Sequence, residues 1–260
     1  MKLDVKIMGV KKRLPTILNI LSATGLDASC VVLDDRGEKG GGDAWYNAKR
    51  AWLAPIPEGV THRIVIQDDV MVCDGFLDIC NKIITVFPKA IFALHGGTWI
   101  KPEMRKTDSP YIQVRGCGIS GQAIIMPVEH ITKMMAWSDS VFGTDYKHDD
   151  GRIGFYALCH GVKVFGTIPD LTDHIPIDTC IKGHNRKDRV SKTWVGKDIG
   201  HQDWDNTNYN KTPFMTNDIW INQNKEKERY DRIDAVIKEG KRRFLDAETK
   251  ERKQGMDKTV

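Results

Sequence analysis

The sequence predicts an α/β fold with a mixed, mainly parallel sheet flanked by helices. Its first segments are a strand, a helix and a second strand, an order that predicts a parallel sheet with a right-handed crossover. The apolar run Ile64–Ile66 is bounded by polar residues, as in a buried strand of a parallel sheet. Helical and strand patterns continue to alternate after that run as far as Phe165. We therefore expect one α/β domain with additions.

Each element is predicted from its apolar pattern and from the residues that interrupt the chain. The first helix has a proline in its first turn, an apolar face and Gly25 at its end. Pro55 and Pro57 separate the second helix from the next strand. The predicted elements are strand Val5–Val10, helix Leu14–Leu21, strand Cys30–Leu33, helix Ala44–Leu53, strand Arg63–Val70, helix Phe76–Val86, strand Ala90–Leu94, the apolar segment Ile124–Pro127 with a helix through Trp137 after it, helix Ile153–Cys159 and strand Val162–Phe165.

The composition indicates a soluble globular protein. Of 260 residues, 40% are hydrophobic and 28% are charged, and no apolar run approaches the roughly 20 residues of a membrane span. The N-terminus has no apolar signal region, so a cytoplasmic location and no membrane partner are expected. The six cysteines form no C-x-x-C pair, which argues against a zinc ribbon or a small disulfide framework. The net charge of +4 permits a phosphate-bearing partner without requiring one.

Two parts are predicted along the chain. Residues 1–190 hold the alternating elements and are expected to form the main α/β domain. Residues 191–260 are expected to be an extension packed on that domain, first irregular and then a highly charged helix. The helix is predicted from apolar residues at helical spacing, Tyr230, Ile233, Ile237 and Phe244. Its basic residues fit a nucleic-acid surface or, alternatively, a solvated helix face.

The most informative stretch is the strand that ends in Asp68 and Asp69. Ligands of α/β proteins bind at the carboxyl ends of the strands, which is where this acidic pair would lie. Two adjacent carboxylates repel each other, and each raises the pKa of the other. A divalent cation that bridges them to a phosphate makes the arrangement favourable, because Mg²⁺ and Mn²⁺ prefer hard oxygen ligands. The alternative is an acidic turn in which Asp69 caps a local segment.

A glycine-rich loop is a second candidate site. Residues 37–42 lead into the second predicted helix, where Asn47 and Arg50 lie about one turn apart on one face. Such a loop before a helix N-terminus can hold a diphosphate, and the alternative is a solvated hinge. The first strand is followed by neither G-x-G-x-x-G nor a Walker lysine-serine pattern, so a classical dinucleotide site and a P-loop are both disfavoured.

Further candidates lie late in the chain. Asp149 and Asp150 precede an apolar helix, and capping that helix would account for one carboxylate but not for both. His174 follows a polar segment and is either a metal ligand or a structural histidine.

The order of these motifs resembles metal-dependent glycosyltransferases of the GT-A fold, a Rossmann-like fold. The resemblance covers roughly Val5 to Arg189 and is closest to a small bacterial and phage branch whose acidic motif reads E/Q-D-D-V, here Gln67 to Val70. The commoner D-x-D motif is replaced, but its second acidic residue, the one usually on the metal, is retained as Asp69.

The resemblance implies that residues 1–190 form a GT-A catalytic domain, and it implies a role for each candidate residue. Asp69 and His174 would ligate Mn²⁺ or Mg²⁺, with Asp68 assisting through the ribose or a water. The metal would neutralise the diphosphate of a nucleotide sugar, with a UDP-sugar such as UDP-glucose favoured as donor. The remaining implied contacts are Met8, Gly9, Val10 and Asp34 on the nucleoside, Asn47 and Arg50 on the sugar or diphosphate, Lys182 on the phosphates, and Asp150 or Asp149 as the base in an inverting reaction.

The acceptor is the least determined part of the prediction. A basic C-terminal third suits DNA, and a hydroxymethylated pyrimidine, as in phage DNA modification, is the first expectation, in the host cytoplasm if the chain is phage-encoded. The candidate DNA contacts are Trp99, Lys101, Arg105 and the basic residues between Lys182 and Arg189. The alternatives are a saccharide or lipopolysaccharide acceptor, a metal-dependent nuclease or nucleotidyltransferase, and a DNA-binding protein without catalytic activity.

Overall fold

The computed structural model describes residues 1–34, 36, 44–97, 109–114, 118–144, 146–175, 177, 190–209 and the single residues 234, 235, 238 and 242. The strands are β1 Leu3–Gly9, β2 Val31–Leu33, β3 His62–Gln67, β4 Val70–Val72, β5 Ile91–Ala93, β6 Tyr111–Val114, β7 Ala123–Pro127, β8 Val164–Thr167 and β9 Thr172–His174. The α-helices are α1 Leu14–Thr24, α2 Ala44–Leu53, α3 Phe76–Val86, α4 Val128–Phe142 and α5 Asp149–His160.

Within the described ranges, seven strands form one sheet in the order β2-β1-β3-β7-β5-β8-β6, and β4 pairs with β9 beside it. Strand β1 runs parallel to both β2 and β3, and β5 runs parallel to β8. Strand β7 is antiparallel to its neighbours β3 and β5, and β6 is antiparallel to β8. The prediction of a mixed, mainly parallel sheet flanked by helices is therefore confirmed.

Both faces of the sheet are covered, as the apolar run in β3 predicts. Side chains alternate along a strand, so Ile64 and Ile66 pack on one face and Val65 on the other. The first face is covered by α1, α3 and the segment that carries Ile199 and Trp204. The second face is covered by α2, α4 and α5.

The parallel register places the carboxyl ends of three strands at one edge of the sheet. Ile7 of β1 is aligned with Val31 of β2 and with Ile66 of β3, so the three strands end at a similar level. The residues that follow these strands are therefore neighbours, although they come from distant parts of the sequence. This edge is where parallel α/β sheets bind their ligands.

Helix α2, which carries two candidate residues, is held against the sheet by a buried cation. Arg63 of β3 is fully buried and donates hydrogen bonds to the main-chain oxygens of Trp52 (2.7 Å) and Ala54 (2.6 Å). It also donates to a carboxylate oxygen of Asp4 (2.6 Å). Arg63 therefore satisfies carbonyls at the end of α2, where a helix has no partners of its own.

Several predicted boundaries are wrong in an informative way. The strand predicted over Arg63–Val70 ends at Gln67, and Asp68 and Asp69 form a turn that leads into β4. Neither Asp149 nor Asp150 caps α5: both lie in its first turn, and the N-cap residue is His148. The short strands β6 and β9 have no counterpart among the predicted elements, because a glutamine interrupts Tyr111–Val114 and Thr172–His174 has no apolar residue, so neither segment forms an apolar run.

No helix among the described residues is both long enough and apolar enough to cross a membrane. The division at residue 190 and the charged C-terminal helix stay predictions, and most of the residues of that predicted helix lie outside the described residues.

Candidate functional site at the edge of the sheet

The acidic pair that follows β3 is buried. Asp68 is 5% exposed and Asp69 is 3% exposed. One carboxylate oxygen of Asp68, Oδ2, accepts a hydrogen bond from the main-chain N–H of Val10 (2.7 Å), which follows β1. The Thr16 hydroxyl donates to the main-chain oxygen of Asp68 (2.5 Å). The turn is thus fixed against the loop between β1 and α1.

Arg13 supplies a positive charge to both carboxylates. Its Nη1 lies 2.7 Å from Oδ1 of Asp68 and 2.7 Å from Oδ2 of Asp69. The Arg13 side chain is 8% exposed, so this ion pair is well shielded from water. The sequence places three adjacent basic residues, Lys11, Lys12 and Arg13, directly after the first strand, but the sequence analysis assigns no role to Arg13. The available signal was its position directly after β1, at the same sheet edge as the acidic pair.

The structure brings together His174 and Asp69, the two residues to which the resemblance assigns a metal. Nε2 of His174 lies 3.1 Å from Oδ2 of Asp69, and both side chains are buried. The cause is the antiparallel pairing of β4 with β9, in which Val70 is aligned with His174. The main-chain N–H of Ile175 also donates to the main-chain oxygen of Asp69 (2.8 Å). An imidazole and a carboxylate therefore converge on one point.

Burial and neighbouring charges determine the protonation of Asp68. Burial raises the pKa of Asp68 from 3.8 to about 6, and the neighbouring Asp69 carboxylate adds to the rise. The Arg13 guanidinium opposes both effects. The carboxylates are thus costly to hold ionised in the absence of further positive charge.

Gly9, the last residue of β1, allows the acidic turn to approach the strand. A Cβ at this position would lie 2.7 Å from Cδ1 of Ile17 and 2.8 Å from Cβ and Oδ2 of Asp68. The main-chain oxygen of Gly9 accepts hydrogen bonds from the N–H of Asp34 (2.8 Å) and from Nδ2 of Asn47 (3.2 Å). The predicted nucleoside contacts Met8, Gly9, Val10 and Asp34 therefore surround one end of β1.

Asp34 is bound by an arginine that sequence reasoning did not single out. Arg36 donates from Nη2 to Oδ2 (2.7 Å) and from Nε to Oδ1 (3.1 Å) of Asp34. Burial opposes ionisation of Asp34, but the hydrogen bonds and charge of Arg36, together with Arg50, hold its pKa below the ordinary value. The Arg36 guanidinium also stacks over the Tyr46 ring, 4.0 Å from its centre.

Asn47 and Arg50 of α2 both contact the main chain at this edge. Nη1 of Arg50 donates to the main-chain oxygen of Leu33 (2.7 Å), at the end of β2. The amide nitrogen of Asn47 is bonded to the oxygen of Gly9, whereas its buried Oδ1 accepts no hydrogen bond. A buried acceptor without a donor is uncommon and leaves a position where a ligand hydroxyl or N–H can bind.

A second acidic pair lies beside the first. A Cβ on Gly121 would lie 3.0 Å from Nε2 of Gln67, 3.3 Å from Cβ of Asp150 and 3.5 Å from Oδ1 of Asp149. Gln67 directly precedes Asp68, so the start of α5 adjoins the acidic turn. Burial, and secondly the Asp150 carboxylate, raise the pKa of Asp149 well above its ordinary value. Asp149 is buried, whereas Asp150 is partly exposed.

The remaining candidates fall outside the described residues. They are the glycine-rich loop 37–42, Trp99, Lys101, Arg105, Lys182 and the other basic residues up to Arg189. In the part of the chain that is described, no three His, Cys, Asp or Glu side chains form a group that could hold a metal ion by themselves.

Comparison with known proteins adds no further constraint. No protein-family model matches the chain, and no curated protein matches its sequence.

Proposed function

We propose that this protein is a metal-dependent glycosyltransferase of GT-A type that moves a sugar from a nucleotide sugar to an acceptor hydroxyl. The observation that carries the proposal is the approach of His174 to Asp69, with Nε2 and Oδ2 3.1 Å apart. The two residues meet at the sheet edge where the carboxyl ends of β1, β2 and β3 also lie. An oxygen and an imidazole nitrogen at one point suit Mn²⁺ or Mg²⁺ completed by phosphate oxygens.

The residues present fit such a metal. Asp69 and His174 would hold it, and Mg²⁺ sites commonly use one or two protein carboxylates plus substrate phosphates, so a complete protein cage is not required. When bound, the metal would neutralise charge that develops on the departing diphosphate. Asp68 holds the turn in place through its hydrogen bond from the Val10 N–H.

The neighbouring groups suit the nucleoside and sugar of the donor. The Oδ1 atom of Asn47 is buried and accepts no hydrogen bond. A hydroxyl of the nucleotide sugar that donates to this oxygen would remove the free-energy cost of an unsatisfied buried acceptor. Asp34 lies at the end of β2, and its ionised carboxylate is stabilised by the hydrogen bonds and charge of Arg36. A UDP-sugar remains the favoured donor.

Asp150 is the better candidate for the base if the reaction inverts. A base must be ionised and must reach the acceptor hydroxyl directly or through one water. Asp149 is buried with a raised pKa, so it holds its proton near neutral pH. Its partly exposed neighbour Asp150 can then take the acceptor proton on a carboxylate oxygen.

The acceptor we propose to test first is a hydroxymethylated pyrimidine in DNA. The support is the net charge of +4 and the basic C-terminal third, since the individual candidate contacts lie outside the described residues. A saccharide acceptor is the second choice.

The test is calorimetric binding of UDP, GDP, CDP and their sugar derivatives, each with and without Mn²⁺. We expect one nucleotide to bind only when metal is present, and Asp69→Asn to lose that binding while Asp78→Asn, an exposed carboxylate on α3, keeps it. If no nucleotide binds with or without metal, the proposal is wrong. If a nucleotide does bind, assays of sugar transfer to hydroxymethylated DNA and to an oligosaccharide distinguish the two proposed acceptors.

A further inference from the structure

Arg13 occupies the position between the two carboxylates of the acidic turn. A single nitrogen, Nη1, lies 2.7 Å from Oδ1 of Asp68 and 2.7 Å from Oδ2 of Asp69. The carboxylate oxygen that it contacts on Asp69 is also the one that lies 3.1 Å from His174. The guanidinium therefore contacts the same carboxylate oxygen of Asp69 that would bind a metal together with His174.

The main chain of Arg13 is fixed, so only its side chain is available to move. Its N–H donates to the main-chain oxygen of Val10 (2.9 Å). Its main-chain oxygen lies 2.8 Å from the Thr16 hydroxyl oxygen and shares that hydroxyl proton with the main-chain oxygen of Asp68. The adjacent Lys11 and Lys12 are exposed, so Arg13 is the member of this basic cluster that turns inward. A long flexible stem on a fixed main chain allows the guanidinium to change partners.

A divalent ion on Asp69 and the guanidinium on the same carboxylate oxygen are mutually exclusive at close range. Like charges within about 4 Å repel strongly in a buried site. The two buried carboxylates carry two negative charges. One guanidinium balances only one of these charges, whereas one divalent ion balances both. The guanidinium is also a preferred partner of phosphate oxygens.

We propose that Arg13 is a resident counter-ion of the acidic turn, which the metal displaces and which then pairs with the diphosphate of the donor. The inference rests on the proposed function and adds to it a specific exchange of partners. The inference implies that the metal alone binds weakly, because the guanidinium of Arg13 that it displaces has no other anion to pair with. A nucleoside diphosphate supplies that new pair, so metal and nucleotide bind cooperatively, and the coupling acts equally on both affinities.

The test measures Mn²⁺ affinity directly, from the electron paramagnetic resonance signal of free Mn²⁺, with and without a nucleoside diphosphate. In Arg13→Gln, Mn²⁺ alone should bind more tightly than in the wild type by roughly tenfold or more, because the competing charge is gone. The nucleotide should then improve Mn²⁺ binding by a smaller factor than in the wild type. Lys12→Gln removes an exposed charge one residue away and should behave like the wild type.

Arg13→Lys guards against misfolding of the neutral variant. The charge is retained, but a lysine lacks the forked guanidinium, so Mn²⁺ alone should again bind more tightly than in the wild type, by a smaller factor. Equal or weaker Mn²⁺ binding in both Arg13 variants, with nucleotide-dependent metal binding still lost in Asp69→Asn, would overturn this inference and leave the proposed function standing. A wild-type protein that binds no nucleotide in the presence of Mn²⁺ would overturn both.

Discussion

Oδ2 of Asp69 and Nε2 of His174 lie 3.1 Å apart, although 105 residues separate the two positions in the chain. The spacing is set by the backbone, since β4 and β9 align Val70 with His174. Both side chains are short and buried, so the approach does not depend on the pose of a flexible side chain. A site arranged in this way is organised before a ligand arrives, which lowers the entropic cost of binding.

Replacing His174 tests the metal role of this pair. His174→Gln removes the imidazole nitrogen while keeping a polar side chain, and we expect nucleotide-dependent Mn²⁺ affinity to fall by roughly 10- to 100-fold or more. The measurement is Mn²⁺ titration in the presence of the bound nucleotide. His201→Gln alters an exposed histidine and serves as the control. Unchanged metal affinity in His174→Gln would show that the histidine is structural.

Asp150 and Asp149 are expected to respond differently to the same substitution. Asp150→Asn should keep nucleotide-sugar binding and lower turnover by a factor of about 10² or more, since the base is lost. Asp149→Asn should change turnover little, because burial already keeps that carboxyl protonated near neutral pH. Steady-state kinetics and donor binding, measured on both variants, separate the roles. Loss of donor binding in Asp150→Asn would argue against a base at that position.

The pKa of Asp68 predicts how stability changes with pH. Because its pKa rises from 3.8 to about 6 on folding, the folded protein holds this proton more tightly than the unfolded chain does. Between about pH 4 and pH 6 the free energy of unfolding should therefore fall as pH rises, by roughly 3 kcal/mol in total from this group. Chemical denaturation of the metal-free protein across this interval measures the slope.

Asp68→Asn provides the comparison for that slope. Asn does not titrate, so the variant should lose this part of the pH dependence, whereas Asp78→Asn should leave it intact because that carboxylate is exposed. Other buried carboxyls, such as Asp149, contribute to the total slope in both proteins and cancel in the difference. Identical slopes in the wild type and Asp68→Asn would show that Asp68 titrates normally.

The parts of the fold with a strong local signal could be predicted from the sequence. The bounds of α2 and α3 were predicted to the residue, because prolines, glycines and apolar faces delimit them. The apolar run in β3 likewise gave a strand buried on both faces. The proximity of Asp69 and His174 was implied only by the resemblance to GT-A glycosyltransferases, since the residues alone left His174 as either a metal ligand or a structural histidine.

Other features depend on contacts that sequence patterns do not carry. Strand β9 is three residues long and exists through its pairing with β4, so it has no period of its own. Arg13 was one of three adjacent basic residues, and the sequence does not show that it is the one whose side chain is buried against Asp68 and Asp69. Helix α5 was predicted from its apolar run, which starts at Ile153, whereas the helix begins at Asp149 with His148 as its N-cap residue. The expectation that Asp149 or Asp150 caps this helix was therefore wrong.

Gly9 offers a test that links packing to binding. In Gly9→Ala the added Cβ would lie 2.7 Å from Cδ1 of Ile17 and 2.8 Å from the Asp68 side chain, so both must shift. We expect the free energy of unfolding to fall by roughly 1–3 kcal/mol, as for other overpacked sites. Nucleotide affinity should fall as well, because displacing Asp68 disturbs its hydrogen bond from the Val10 N–H.

The double variant Gly9→Ala with Ile17→Val separates these two effects. Valine lacks the Cδ1 atom, so the contact with residue 17 is relieved while the contact with Asp68 remains. Relative to Ile17→Val alone, the added alanine should then cost less stability than it does in the wild type, but nucleotide affinity should stay low. If the double variant regained full affinity, the crowding at Ile17 would account for the whole effect, and the close approach of Asp68 to β1 would matter only for stability.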